Sequence, residues 1–230
     1  DNSYKTMDNT FIESVWWGLK EIYKKGRLYE GRKVLMYCPH CETPLAKAEI
    51  AMDNTYKDIT EEAVTVKFKI VGRENEYFLA WTTTPWTLPG NVALAVGPKI
   101  QYVLAKTDTG NVWLAEERLS VVLPGAEVLQ KLLGEKLVGV TYQPLYEIEK
   151  VKAYTGKKWQ VLPADFVTTE EGTGIVHTAV IYGEDDYNLG LKENLPMVPL
   201  LNPNATYNDD VPEFLRGQYI KKAEPLIKED

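Results

Sequence analysis

Apolar side chains recur every three to four residues in the first part of the chain. Over residues 10–30 this spacing predicts an amphipathic helix that packs on one face. Gly26 follows two lysines, where a glycine often ends a helix, so we expect the helix to stop there. The apolar stripe consists of Phe11, Ile12, Val15, Trp16, Leu19, Ile22 and Tyr23.

After this helix, β-branched and aromatic residues alternate with polar ones, which predicts half-buried strands. Glycines and prolines at short intervals predict turns between the strands and indicate a closed or sandwich-like β body. The predicted fold class is therefore mainly β with peripheral helices (α+β). The predicted strands are 64–70, 77–84, 92–96 and 102–105, and two further helical pieces are predicted at 120–137 and 186–195.

The composition narrows the classes of function. The chain has 230 residues, of which 44% are hydrophobic, enough to fill a real core. Its net charge is −7, so we expect any contact with nucleic acid to be local rather than a broad grip on phosphates. No apolar run is long enough to cross a bilayer and no signal pattern opens the chain, which predicts a cytoplasmic protein. Because neither end looks natural, we expect a piece excised from a longer protein.

The two cysteines, Cys38 and Cys41, lie in the sequence CPHC after a short predicted strand. Their spacing is that of one half of a tetrahedral zinc site, which needs two further ligands. Only His40 is near, and it is poorly placed to complete the same shell. We therefore expect a half-site that holds no metal in this chain.

Three consecutive threonines, Thr82, Thr83 and Thr84, lead into PWTLPGN. Pro89 and Gly90 suit the central positions of a type II turn. In a strand, Thr82 and Thr84 would point to one face and Thr83 to the other. Such a cluster is explained equally well by β propensity and by a polar site, and composition does not decide between them.

A second polar block, GTGIVHTAVIYGEDDY, contains His177 and three consecutive carboxylates. A lone histidine on a strand is more often a hydrogen-bonded structural group than a catalyst. Glu184, Asp185 and Asp186 precede a helical pattern, where carboxylates cap amides and suit the helix dipole. Their spacing does not match a calcium loop.

Both blocks resemble the signature blocks of one family. TTTPWTLPGN and GTGIVHTAVIYGEDDY are similar to those of the editing domain inserted in isoleucyl-tRNA synthetases, the connective-peptide domain (CP1). The flanking segments YKTMDN, ESVWWGLK, YCPHC, ADFVT and KKAEPLI agree in order and spacing. Valyl and leucyl relatives resemble TTRP-type sequences and lack the histidine. Thr84 before Pro85, together with His177, therefore favours the isoleucyl branch.

The resemblance implies a closed β-barrel-like fold and a hydrolase that removes wrongly attached valine from tRNA(Ile). A pocket for isoleucine discriminates against a side chain one methylene smaller by only roughly a hundredfold, a limit for which these synthetases are the standard example. A second site must therefore hydrolyse the wrongly formed product. The implied partners are the 3′ end of tRNA(Ile) and the remainder of the synthetase. We expect a monomer with the editing domain at 51–215 and linkers to the synthetase body at 1–50 and 216–230.

The resemblance also implies residue roles. Asp186 would anchor the α-ammonium of the misattached amino acid, and His177 would obstruct the extra methyl of isoleucine. The segment 180–182, Val-Ile-Tyr, departs from the proline and phenylalanine that the family commonly has there. We further expect Thr82, Thr83, Thr84 and Asn91 around the adenosine and water, the amides from Gly172 to Gly174 as oxyanion donors, and Trp81 and Tyr182 as walls.

Two alternatives are a noncatalytic module that binds the tRNA acceptor end, using the cysteine knuckle and the basic segment 156–159, and a valyl-type editing domain that acts on Thr-tRNA(Val). A complete synthetase is excluded because His40 and His177 form no HIGH-type pair and no KMSKS-like motif is present. Editing itself needs no cofactor in this interpretation, and a zinc ion is an expectation for the full-length enzyme alone.

Overall fold

The computed structural model describes residues 3–230. The chain divides into two compact units, one up to Lys33 and one from Val34 to Asp230. The predicted boundaries at residues 50 and 215 concern function and stay a prediction. No helix within the described residues is both long and apolar enough to cross a membrane.

The first unit contains the predicted helix, α1 (Asn9–Lys24). It ends as the sequence indicates, because Gly26 adopts a φ of +65° and its amide donates to the Tyr23 carbonyl, while the Arg27 amide donates to Ile22. No residue of α1 is buried, so its apolar face is not covered within the described part of its own unit, and its packing on one face stays a prediction. Trp16 and Trp17 are each 67% exposed.

The second unit is mainly β, as predicted. Its elements in chain order are β1 (Tyr37–Cys38), β2 (Thr43–Pro44), α2 (Lys47–Ile50), β3 (Val64–Lys69), β4 (Glu76–Thr82), a 3₁₀ helix (Pro85–Gly90), β5 (Ala93–Val96), β6 (Gln101–Thr107), β7 (Gly110–Ala115), 3₁₀ helix Glu116–Arg118, α3 (Leu119–Val122), β8 (Val128–Leu133), 3₁₀ helix Gly134–Lys136, α4 (Glu149–Lys152), β9 (Gln160–Pro163), β10 (Ile175–Thr178), α5 (Glu184–Glu193), 3₁₀ helix Glu213–Leu215 and α6 (Ile220–Glu229).

Strand β4 is the branch point of the main sheet. One of its edges pairs with β3 along nearly the whole strand. Its other edge is shared, because Glu76 to Phe78 pair in parallel with β7 while Trp81 pairs in parallel with β10. Two arms therefore leave β4 on the same side: a first arm of β7, β6 and β8, and a second arm of β10, β5 and β9.

The second arm curls back towards β3. Thr141 bridges to Gln160 of β9, and Tyr142 bridges to Ile70, just after β3. The segment 141–142 thus closes the curled sheet through two single-residue bridges. The predicted closed barrel is confirmed in outline but overstated, because a short seam replaces a full strand ladder and the first arm stays open at β8.

The core fills the inside of this curl. Phe68, Trp113, Tyr142 and Val161 are all buried there with the fully buried strand β5. A smaller cluster around Leu79 and Val103 lies on the other face of the first arm. Burial of these side chains supplies the main stabilisation of the fold.

Two local predictions are wrong. The helix predicted over 120–137 is only the short α3, and Val128–Leu133 is strand β8, which pairs with β6. Pro89 and Gly90 end a 3₁₀ helix instead of forming a type II turn, and Gly90 does not have the positive φ that such a turn requires. A Cβ on Gly90 would lie 3.1 Å from the Tyr182 ring, so close approach rather than turn geometry accounts for the glycine.

Tyr102 joins the two arms near the branch. Its hydroxyl accepts from the Gly97 amide at 3.0 Å and donates to the Gly174 carbonyl at 2.6 Å. We expect Tyr102→Phe to lower the free energy of unfolding by about 1–3 kcal/mol, because both backbone groups lose a partner in a buried place. Urea unfolding measures this, with the exposed Tyr56→Phe as a control that leaves stability unchanged; equal stability of the two variants would contradict the prediction.

Candidate active site

A cavity of about 410 Å³ lies at the carboxyl end of β4, beside β10 and the loop before it. Its walls come from three stretches that are far apart in the sequence: residues 81–87, 166–179 and 182–186. It brings together most of the residues predicted from the sequence. These are Trp81, Thr82, Thr83, Thr84, Gly172, Gly174, His177, Tyr182 and Asp186.

The three threonines line this cavity because β4 ends among them. Thr82 and Thr84 share a face as predicted, with 3.3 Å between their hydroxyl oxygens. The Thr84 amide donates to the Thr82 hydroxyl at 3.0 Å, which turns the chain out of the strand. Thr83 was expected on the opposite face, but the strand has already ended and Thr83 also lines the cavity.

His177 is buried and both of its ring nitrogens are engaged. Nε2 lies 2.7 Å from the hydroxyl of Thr87, and Nδ1 lies 3.1 Å from the side-chain nitrogen of Asn91. Burial lowers the pKa of His177 to about 4, so the ring is neutral at physiological pH. The imidazole is therefore a fixed, uncharged part of the cavity wall.

Asn91 does not line the cavity, although it was predicted to contact the nucleotide and water. It is buried, and its amide nitrogen donates to the Ala93 carbonyl at 3.0 Å. Its oxygen accepts from the Tyr142 hydroxyl at 2.6 Å. Because these bonds and the contact with His177 occupy the amide, Asn91 acts on the site through His177.

Asp186 lies in the first turn of α5 with its side chain facing the cavity. The Ala179 amide donates to the carboxylate, and Oδ1 is buried without a hydrogen-bond partner among residues 3–230. Burial, followed by the charge of Asp185, raises the pKa of Asp186 to about 7. Because this buried oxygen has no partner among the described residues, an ammonium group would relieve the cost of burying the charge.

The other carboxylates of α5 do not cap the helix through hydrogen bonds. The residue before the helix is Gly183, and no side-chain cap bond is formed there. Glu184 and Asp185 are exposed in the first turn, where they favour the helix through its dipole. A Cβ on Gly183 would overlap the Asp186 carboxylate, so this glycine leaves room for the anion.

The loop before β10 is held in place by its carbonyls. Gly172 and Gly174 have φ values of +64° and +74°. Arg118 donates from Nε to the Gly172 carbonyl at 2.9 Å and from a terminal nitrogen to the Glu170 carbonyl at 3.0 Å. Because the N–H of a trans peptide points opposite to its carbonyl, this clamp fixes the direction of the Thr173 amide.

The aromatic walls are also fixed. A Cβ on Gly172 would lie 2.8 Å from the Trp81 ring, so the loop rests directly on the indole. The Tyr182 ring meets Trp86 edge to face at 5.3 Å between centroids, and its hydroxyl accepts from the Leu200 amide at 3.2 Å. In segment 180–182, which differs from the family pattern, the Tyr182 ring is thus held in place against the cavity.

Several lining residues escaped the sequence analysis, chiefly Thr87 and Glu170 with Glu171. Thr87 lies three positions after Thr84 in TTTPWT, and a helical turn after Pro85 would have placed it on the same face as Thr84. No sequence pattern around Arg118 or Tyr142 indicates a role at the site, because each contacts it from a distant part of the chain.

Cys38 and Cys41 lie in a small hairpin of β1 and β2, and neither lines the cavity. The Cys41 amide donates to the Cys38 sulfur at 3.4 Å, and this bond lowers the pKa of Cys38 while Cys38 raises the pKa of Cys41. Within residues 3–230, no group of three or more metal-binding side chains includes them. Two thiols fit half of a zinc shell, and the expectation of an incomplete site stays a prediction.

The model of tRNA synthetases class I (I, L, M and V) matches residues 1–218. The chain belongs to this class I family. Relatives that match the whole chain include isoleucine–tRNA ligase of Clostridium novyi, 45% identical over 230 residues, and isoleucine–tRNA ligase 2 of Bacillus anthracis, 44% identical over 237. This class I chain spans 22% of the length of each.

Solved structures share the fold of this class I synthetase chain. The crystal structure of GlLeuRS-CP1 matches with a TM-score of 0.56 at 14% identity, covering 73% of this chain and 94% of that one. The editing domain of the P. knowlesi cytosolic leucyl-tRNA synthetase matches at 0.51 and 14% identity, covering 74% and 92%. The resemblance to a CP1 editing domain and the predicted fold class are thereby confirmed.

Asp186 predicts a specific dependence of stability on pH. Its folded-state pKa of about 7 lies above the ordinary 3.8, so the folded state holds the proton more tightly. The resulting stabilisation is complete below pH 3.8 and is lost as the pH rises through 7. Asp186→Asn should therefore raise the free energy of unfolding at pH 8 by about 1–4 kcal/mol and change it little at pH 4.

Denaturant unfolding at the two pH values measures this difference. Glu184→Gln is the matched control, because it removes a carboxylate from the same helical turn at an exposed position. A stability gain of the same size for Asp186→Asn at both pH values would show that the carboxyl group does not titrate between them.

Arg118 should be needed to order the loop before β10. We expect Arg118→Ala to speed hydrogen exchange of the amides at 170–174 and to cost about 1–2 kcal/mol, because two carbonyls lose a charged donor. Exchange measured by mass spectrometry tests this, with the exposed Lys136→Ala as a control for loss of positive charge. Unchanged exchange in the loop would mean that the clamp is not what holds it.

Proposed function

We propose that this chain hydrolyses the ester bond between valine and tRNA(Ile), and that it also accepts valyl-adenylate. One observation carries the proposal: the same cavity holds a carboxylate with a buried oxygen that has no partner among residues 3–230, and a row of threonine hydroxyls. The first suits the α-ammonium of an amino acid, and the second suits a ribose and a water molecule. The family membership and the shared CP1 fold support this interpretation.

Asp186 anchors the amino acid in this mechanism. The α-ammonium pairs with the carboxylate, which favours the ionised form and offsets the cost of burying it. The Ala179 amide and the room left by Gly183 hold the carboxylate in place. The ester carbonyl is then positioned relative to the threonines at the end of β4.

Water is the nucleophile. An aminoacyl ester is already reactive toward water, so the site needs no covalent intermediate, and placement of a water molecule near the ester carbon supplies most of the acceleration. The water oxygen attacks the ester carbon, the bond to the ribose oxygen breaks, and the proton of the water passes to that leaving oxygen. Thr82, Thr83 and Thr84 orient the water and the ribose, and amides of the 172–174 loop donate to the oxyanion.

Specificity for valine arises from a rigid wall. His177 cannot move away from a larger side chain without breaking its bonds to Thr87 and Asn91. The extra methyl of isoleucine therefore meets the imidazole, whereas valine fits. The editing cavity therefore admits valine and excludes isoleucine, as a second site must if it is to remove an amino acid smaller than the correct one.

The partners follow from the same chemistry. With a net charge of −7 the chain contributes little general attraction to phosphates, so we assign it the terminal adenosine of the tRNA rather than the body of the tRNA. The remainder of a longer synthetase would hold the rest of the tRNA. Editing needs no cofactor in this mechanism, and we expect a monomer in the cytoplasm.

Deacylation of Val-tRNA(Ile) by this chain tests the proposal. Asp186→Ala and Thr84→Ala should each lower the rate at least about 100-fold, because one loses the anchor and the other loses the group that orients water. Asp185→Ala is the control for loss of an adjacent, exposed carboxylate and should retain the rate. Circular dichroism melting establishes that each variant is folded.

Other outcomes would redirect the assignment. Binding of tRNA without deacylation would identify a noncatalytic module and overturn the proposal. Faster deacylation of Thr-tRNA(Val) than of Val-tRNA(Ile) would place the chain with valyl-type editing domains. Full activity in both Asp186→Ala and Thr84→Ala would reject the assigned roles.

A further inference from the structure

A chain of hydrogen bonds runs from Tyr142, outside the cavity, to the threonines inside it. The Tyr142 hydroxyl donates to Asn91, which contacts His177, and His177 contacts Thr87. Thr87 in turn donates to the Thr84 carbonyl at 2.8 Å. Tyr142, Asn91 and His177 are all buried, so each donor in this hydrogen-bond network must face an acceptor.

The orientation of the Asn91 amide follows from its neighbours. The Ala93 carbonyl can only accept, so the group 3.0 Å away from it is the NH₂ of Asn91. The oxygen of Asn91 then faces Tyr142 and accepts from its hydroxyl. A rotated amide would set two oxygens against each other at Ala93.

The tautomer of His177 follows from this orientation. The same NH₂ group lies 3.1 Å from Nδ1, so Nδ1 carries a lone pair and no proton. The ring proton is therefore on Nε2, where it is donated to the Thr87 hydroxyl at 2.7 Å. A doubly protonated ring would set two donors against each other at Nδ1, so the arrangement also excludes the imidazolium ion.

The donor-to-acceptor direction of these hydrogen bonds determines whether the Thr84 hydroxyl donates or accepts. Thr87 accepts from His177 and gives its own proton to the Thr84 carbonyl. The Thr84 hydroxyl, 3.4 Å from that of Thr87, can donate to it but cannot receive a proton from it. The Thr82 hydroxyl, 3.3 Å away, can donate to one lone pair of the Thr84 oxygen, and the second lone pair is left to accept from a water molecule in the cavity.

Tyr142 is well placed to hold the far end of this chain. It lies on the segment that closes the barrel, with its ring edge to face against Phe68 at 5.2 Å between centroids. Burial raises the pKa of its hydroxyl well above the ordinary value, so the hydroxyl stays protonated and acts as a donor. Tyr142 does not line the cavity.

We propose that Tyr142 is a positioning residue that, through Asn91, holds His177 as the Nε2–H tautomer and leaves Thr84 as the acceptor for the attacking water. His177 is then a donor to Thr87 and not a general base. The kinetic part of this inference rests on the proposed function, whereas the tautomer does not.

Nitrogen-15 NMR of the histidine-labelled chain at pH 7 tests the tautomer directly. The chain has two histidines, so the variant His40→Gln assigns the signals of His177. We expect a protonated Nε2 and an unprotonated Nδ1 in the wild type. In Tyr142→Phe, the Asn91 oxygen loses its donor, and only the Ala93 carbonyl still opposes rotation of the amide. The tautomer with the proton on Nδ1 should therefore gain population relative to the wild type.

Rate measurements complete the test. Tyr142→Phe should lower kcat for deacylation of Val-tRNA(Ile) about tenfold with little change in KM, because substrate contacts are kept while the water is less well oriented. Tyr207→Phe is the matched control for the tautomer, since it also removes a buried hydroxyl, 2.5 Å from the Trp86 carbonyl. Its His177 spectrum should match that of the wild type.

Two outcomes would overturn the inference: a proton on Nδ1 of His177 in the wild type, or a Tyr142→Phe variant whose spectrum and kcat both equal those of the wild type. If instead the tautomer shifts as expected and the wild type does not hydrolyse any valyl ester, the inference about Tyr142 stands and the proposed function fails.

Discussion

The arrangement of the molecule depends on one constraint, the sharing of a single edge of β4 by two parallel partners. A strand edge offers one row of backbone donors and acceptors, so β7 and β10 can pair with it only at different heights. The two arms must therefore diverge, and the cavity lies beside the upper half of β4, where β10 begins. Trp81 and the three threonines line it because they lie at the carboxyl end of that strand and immediately after it.

Buried polar groups give the cavity its chemical character. The core around it is apolar, and His177, Asn91 and Thr87 are held in it by mutual hydrogen bonds. Asp186 differs, because one of its oxygens lacks a partner within the described part of the chain. A satisfied network resists deformation, whereas an unsatisfied charge favours a ligand of opposite sign. The site combines both kinds of group.

The sequence predicted much of this structure where local patterns decide it. Strands β3 to β6 follow the alternation of apolar residues, and α1 and α5 follow their helical spacing. Strand β8 was missed because Leu, Gln and Lys favour a helix locally, while pairing with β6 overrides that preference. The 3₁₀ helix at Pro85–Gly90 was missed because Pro-Gly equally suits a turn.

The short seam that closes the barrel also carries the phenol at the end of the buried chain of hydrogen bonds. Two backbone hydrogen bonds join this seam to the β3 side and three join it to the β9 side. Such a short ladder opens more readily than a long one does, without unfolding of the whole domain. Each such opening would withdraw Tyr142 from Asn91, and only the Ala93 carbonyl would then oppose rotation of the amide and the change of tautomer at His177. On warming, any activity that depends on this tautomer would be lost some degrees below the melting of the sheet, because the loosening begins outside the cavity.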